Sequence, residues 1–161
     1  MHYASDDLNL AVGGKSFQLA VADKKKLPQE EDSDMNRRGV YLTRGYIPST
    51  DVMNNFLMSF DVDDGRTPCP IRTQTVTAPQ ALFTMNGELV EKESGKLAAL
   101  VLKETSGDFN AAVASAYART LGRKPSASEL DYALTYLEKD PARMKELAWL
   151  LFNLDEFIYV R

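Results

Sequence analysis

Between Asp108 and Phe152 the apolar residues recur three times at helical spacing, and each recurrence carries its own start signal. No other feature restricts so strongly what this chain can fold into. Asp108 precedes a face of Phe109, Ala112, Val113, Ala116, Tyr117 and Leu121, and Gly122 then stands where a helix favours a left-handed end. Ser126-Ala-Ser-Glu129 has capping-box spacing: the hydroxyl can accept from the Glu129 amide while the carboxylate reaches back. Leu130, Ala133, Leu134 and Leu137 follow at i, i+3, i+4 and i+7. Asp140-Pro141 opens a third helix with Met144, Leu147, Ala148 and Leu151 inward. Trp149, Leu150 and Phe152 widen its apolar face, which predicts a central helix buried on several sides. Short connections and matching stripes predict that the three pack as one antiparallel cluster.

Upstream the periodicities are shorter. Phe17, Leu19 and Val21 alternate with polar or small residues, and Val40 and Leu42 do the same, predicting a two-stranded ribbon across the charged loop from Asp23 to Arg38. Pro48 and Ser49 open a helix with Met53, Phe56, Leu57 and Phe60 on one face. Asp61 to Pro70 reads as loop from its Gly, Pro and Asp content. Thr77-Ala-Pro-Gln80 is another capping box, starting a helix that breaks at Asn86-Gly87. The helix resumes from Glu88 to about Lys103 with Leu89, Val90, Leu97, Leu100 and Val101 inward. The tail from Glu156 to Val160 is expected to pack back through Phe157 and Tyr159. The fold class is therefore mainly α, a helical cluster with a small two-stranded β-ribbon near the N-terminus. Residues 1–161 form a single domain or domain fragment, with 1–36 a partly irregular arm and charged loop.

Composition narrows the function classes. A formal charge of −4 and a pI near 5.1 argue against binding to phosphate backbones, and Lys24-Lys25-Lys26 is soon followed by Glu30, Glu31, Asp32 and Asp34. Nucleic acid is not an expected partner. No apolar run approaches the roughly 20 residues that span a bilayer, so no membrane insertion is expected. The chain has one cysteine, Cys69, and one histidine, His2, with no metal-ligand spacing such as C-x-x-C. His2 is expected in a disordered terminus, and no metal or cofactor is predicted.

Nucleophilic catalysis lacks an internal histidine base and a G-x-S-x-G elbow, so no catalytic residue is assigned. A carboxylate pair for glycoside cleavage stays open, with no pair singled out. Asp61-Val-Asp63-Asp64-Gly65 departs from calcium-loop spacing and reads as a helix-ending acidic loop. Cys69, between Pro68 and Pro70, reads as a small buried residue or as a thiol that pairs elsewhere in a parent protein, rather than as a nucleophile. Arg37, Arg38, Arg66 and Arg72 surround Thr75, Thr77 and Gln80. Guanidinium forks beside a helix start suit a polar or anion-binding surface for sulfate or carboxylate. The favoured role is structural, with the arginines pairing Asp61, Asp63 and Asp64 to tie irregular backbone together.

Several segments carry a family resemblance. Leu8-Asn-Leu-Ala-Val-Gly-Gly14 resembles an LDLxxGG segment, and Arg37-Arg38-Gly-Val-Tyr41 an RRSVY strand. Phe60-Asp61 with Cys69-Pro-Ile-Arg72 is similar to an FD…CxxR loop, and Thr75 to Leu82 with Asn86 to TTVPPQALxxxN. Tyr117 to Arg123 with Pro125 and Glu129 resembles a hairpin of the form AYRLALGRxPxxxEL, and Asn153 to Val160 the closing NSNEFLYV. Together they resemble the C-terminal part of the planctomycete-type domain of unknown function 1553.

That resemblance implies large exported proteins, periplasmic or extracellular, often with a cytochrome c-like domain upstream and genes linked to sulfatases and polysaccharide breakdown. The chain carries no haem-attachment C-x-x-C-H and, by this likeness, begins in mid-domain. The expected function is a non-catalytic structural or interaction module whose partners are other domains of the parent protein. The alternative is a carbohydrate-active domain that binds or hydrolyses sulfated glycan. The segment before Ser16 is expected to be poorly ordered or docked as an extended arm, and an exposed apolar patch or a homo-oligomer contact covering it is expected as well.

Overall fold

A computed structural model describes residues 1–14, 36–41 and 78–159. Among these lie six α-helices: α1 (Ala78–Asn86), α2 (Glu88–Glu104), α3 (Phe109–Leu121), α4 (Ala127–Leu137), α5 (Arg143–Phe152) and α6 (Asp155–Ile158). The chain divides into two compact units, one of Met1–Asp7 with Thr84–Arg161 and one of Leu8–Phe83.

The first unit is a helical cluster. Its most extensive pairing is α2 on α5, while α3 touches α2, α4, α5 and α6. Val90, Leu97 and Val101 from α2, Val113 from α3, Leu137 from α4 and Met144, Leu151 and Phe152 from α5 are wholly buried between them. The three C-terminal stripes thus meet as their spacing predicts.

The caps follow the sequence closely. The Asp108 carboxylate accepts from the amides of Asn110 at 3.0 Å and Ala111 at 3.5 Å. Gly122 ends α3 at φ +70°, the left-handed region that suits glycine. At α4 both halves of the capping box form: the Glu129 amide donates to Ser126 Oγ at 3.3 Å, and the Ser126 amide donates to Glu129 Oε2 at 2.7 Å.

Two expectations shift. Asp140-Pro141 forms a preceding turn in which Asp140 Oδ1 accepts from the Ala142 amide at 2.9 Å, and α5 proper starts at Arg143. This helix is not buried on several sides: Leu150 is 47% exposed and Trp149 only partly covered. Its neighbours occupy the face of Met144, Leu147, Ala148 and Leu151, and Leu150 lies about 100° round from Leu151. The tail adds the short helix α6, whose Phe157 ring lies 5.0 Å from Phe152, tilted by 59°.

In the second unit an isolated parallel bridge joins Asn9 and Arg37, and there is no strand among the described residues. Gly39–Tyr41 is a 3-10 turn, closed by the Tyr41 amide on the Arg38 carbonyl at 2.9 Å. The predicted ribbon is therefore not formed at Val40 and Tyr41. Alternation over so short a run fits either conformation, and here the local i to i+3 bond takes the backbone. Phe17 to Val21, Leu42 and the predicted helix from Met53 to Phe60 lie outside the described residues.

Candidate functional site

The buried face of α2 is Val90, Glu93, Ser94, Leu97, Ala98 and Val101. Four of these suit a core; Ser94 is polar, and Glu93 is a carboxylate with no exposed side-chain surface. A buried charge must be paired and hydrogen-bonded, or its desolvation cost is prohibitive. Ser94 resolves its own case by donating to the Val90 carbonyl at 2.6 Å. Glu93 is resolved by residues from the far end of the sequence.

Met1 to Asp7 make one helical turn, in which the amides of Ala4 and Ser5 donate to the Met1 carbonyl at 2.8 and 3.1 Å. Ala4 enters the core, so the segment is docked by a turn rather than as an extended arm. Ser5 Oγ donates to Glu93 Oε2. Lys96, one turn along α2, donates to Glu93 Oε1 at 3.0 Å and also to Asp7 Oδ2. His2 Nδ1 lies 3.3 Å from Glu93 Oε2 and 3.6 Å from Asp7 Oδ2, buried but with no hydrogen bond of its own. The expected disordered histidine is instead placed beside the one carboxylate that the helix buries.

The electrostatics follow. Burial pushes the Glu93 carboxyl up, but His2, Ser5 and Lys96 outweigh it and hold the group at about 2. Burial likewise works against the Lys96 ammonium, and hydrogen bonds to Asp7 and Glu93 overcome it, raising its pKa. Ser5, His2 and the carboxylates do not make a catalytic triad. In a triad the imidazole bridges hydroxyl and carboxylate, whereas here the hydroxyl donates to the carboxylate directly.

Of the residues expected to form an anion-binding surface, Arg37 and Arg38 converge on Tyr41. Their guanidinium carbons lie 4.0 and 5.5 Å from its ring centroid. Arg37 donates to the Gly13 carbonyl, while the Tyr41 hydroxyl accepts from the Gly13 amide at 3.0 Å and from Arg38 Nη2 at 3.3 Å. The Gly13 amide, more than the two cations, lowers the Tyr41 pKa by favouring the phenolate. Gln80 is buried in the first turn of α1. Arg66, Arg72, Thr75 and Thr77 lie outside the described residues, as do Asp61, Asp63, Asp64 and Cys69.

A hollow of about 360 Å³ sits between the start of α3 and the end of α4, lined by Asp108, Phe109, Asn110, Leu134, Leu137 and Lys139 with Gly107. Its one carboxylate is Asp108, which already caps α3. Elsewhere Arg123 grips two carboxylates: its Nη2 lies 2.8 Å from Glu129 Oε1 and 2.9 Å from Glu156 Oε2. This clamp joins the α3–α4 connection to α6.

Sequence reasoning missed the cluster at Glu93. A signal for it was present: Glu93 stands three residues after Val90 and four before Leu97, on the apolar stripe where a surface glutamate has no place. Its partners Asp7 and His2 lie more than eighty positions away, and no local pattern links them.

A family model described as PSD1, protein of unknown function (DUF1553), matches residues 1–137. No curated protein and no solved structure matches the chain. The matched span takes in the cluster around Glu93 and every helix from α1 to α4, and on it the chain belongs to the DUF1553 family of proteins of unknown function.

Proposed function

We propose that this chain is a non-catalytic interaction module within a larger exported bacterial protein, docking against other domains of that parent. The observation that carries it is an apolar strip left uncovered on the first unit. Trp149 Nε1 donates to the Met85 carbonyl at 3.2 Å, bringing α5 beside the end of α1. Met85 and Leu150, 51% and 47% exposed, flank that contact. Exposed apolar side chains of this kind are what a protein-docking surface presents, and α5 is also joined to α2 by the exposed Lys145–Glu91 pair at 2.8 Å. Export and a multidomain parent are what the resemblance of the quoted segments implies.

A carbohydrate-active domain would need a cleft lined by converging carboxylates. The hollow beside α3 has one, and that one is committed to a helix cap. Turnover assays and a glycan array, run on the full-length parent protein, test the choice. No turnover and no retained glycan are expected; sulfated-glycan retention or hydrolysis would overturn the module. Trp149 is the only tryptophan, so its emission reports directly on the strip. Adding the purified upstream part of the parent should shift that emission to the blue, and Leu150→Lys should abolish the shift.

A further inference from the structure

We propose that His2, Asp7 and Glu93 form a divalent-cation site of the zinc class, with Lys96 bridging the two carboxylates when no cation is bound. One ligand atom from each of the three residues lies within 4.8 Å of the other two. The spacings of His2 Nδ1, 3.3 Å to Glu93 and 3.6 Å to Asp7, resemble the edges of a coordination tetrahedron. Metal–ligand distances of about 2.0–2.1 Å require edges of about 3.3 Å. The imidazole Nδ1 is buried, faces both carboxylates and makes no well-directed hydrogen bond to either, so its lone pair can be offered to a cation. Glu93 is wholly buried and oriented by Ser5, the kind of outer partner that fixes a metal-ligating carboxylate.

Charge and ligand type select the ion. Two carboxylates and a neutral imidazole neutralise a divalent cation, while the single ammonium of Lys96 leaves one negative charge over. One nitrogen and two carboxylates are too few oxygens for calcium and suit zinc with water in the fourth position. Lys96 is about one-third exposed, so its stem can swing the ammonium into solvent as the cation enters. The cation would then tie the 1–7 turn to α2, beyond any role of the apolar strip in docking.

The test uses the tag-free chain, in which His2 is the only histidine and its imidazole resonances report on one site. Zinc chloride titrated at neutral pH should bind one to one, shift those resonances and raise the melting temperature, while magnesium should do none of these. His2→Ala should abolish binding, Asp7→Asn and Glu93→Gln should each weaken it at least tenfold, and Lys96→Met should leave it intact or tighter. Resonances unmoved by zinc would overturn the site. So would binding that survives Asp7→Asn and Glu93→Gln, since a chelate of the terminal amine with His2 alone would behave that way. If Glu93→Gln does not fold, Asp7→Asn, at the partly exposed edge, decides alone.

Discussion

At the scale of single residues, the N-terminal turn meets the middle of the chain through one buried charge. Removing Lys96 leaves Glu93 with Ser5 and His2 only, and stripping a partner from a buried carboxylate is costly. Lys96→Met should therefore destabilise the protein by about 2 kcal/mol in urea unfolding; a cost below about 0.5 kcal/mol would mean that Ser5 suffices. Arg123 is different in kind, because its clamp on Glu129 and Glu156 is solvent-accessible and each pair contributes little. Arg123→Ala should lower the melting temperature only slightly, and Arg123→Lys nearly as much, because an ammonium cannot fork to two carboxylates. High salt should shrink both effects.

Individual helices depend on their ends. Ser126→Ala removes one half of the α4 capping box and should lower stability by about 1 kcal/mol, with amide exchange rising first at Glu129. Gly122 holds φ +70° with open space where a Cβ would go, so the cost of Gly122→Ala is backbone strain rather than collision. It should also be about 1 kcal/mol. Glu138 and Lys139 end α4 at φ +46° and +61° without glycine. Lys139→Gly should accordingly be neutral or stabilising by a few tenths of a kcal/mol, as judged by melting temperature.

For the whole molecule, stability rests on the α2–α5 contact and on carboxylates held ionised. Leu151 is wholly buried in that core, and Leu151→Ala should cost about 2–5 kcal/mol, enough to consume much of the stability of a domain this size. Glu93, wholly buried, has a folded pKa near 2 against an ordinary 4.5; Glu129 is lowered as far, but its solvent-accessible pair with Arg123 adds little to stability. A depressed folded pKa stabilises fully above the unfolded value, and that stability is lost as pH falls toward the folded one. An acid titration followed by circular dichroism should thus show stability level above about pH 5 and falling between about 4.5 and 2. In Glu93→Gln the fall should be shallower over the same window.

What the sequence determined by itself was everything local. The three C-terminal stripes, the Asp108 cap, the Ser126–Glu129 box and the Gly122 stop all depend on residues within about four positions, where helical spacing dictates neighbours. The family likeness too is a string property. Tertiary structure alone decided which helix face stayed uncovered: Leu150 and Phe152 are equally apolar, yet only one faces the cluster. It also brought Asn9 to Arg37 and Gly13 to Tyr41, contacts between distant stretches of sequence that no local pattern announces. Above all it brought His2, Ser5 and Asp7 to Glu93 and Lys96. Periodicity marked Glu93 as out of place on its stripe, but a charge buried by one element can be answered from anywhere in the chain, and only packing says from where.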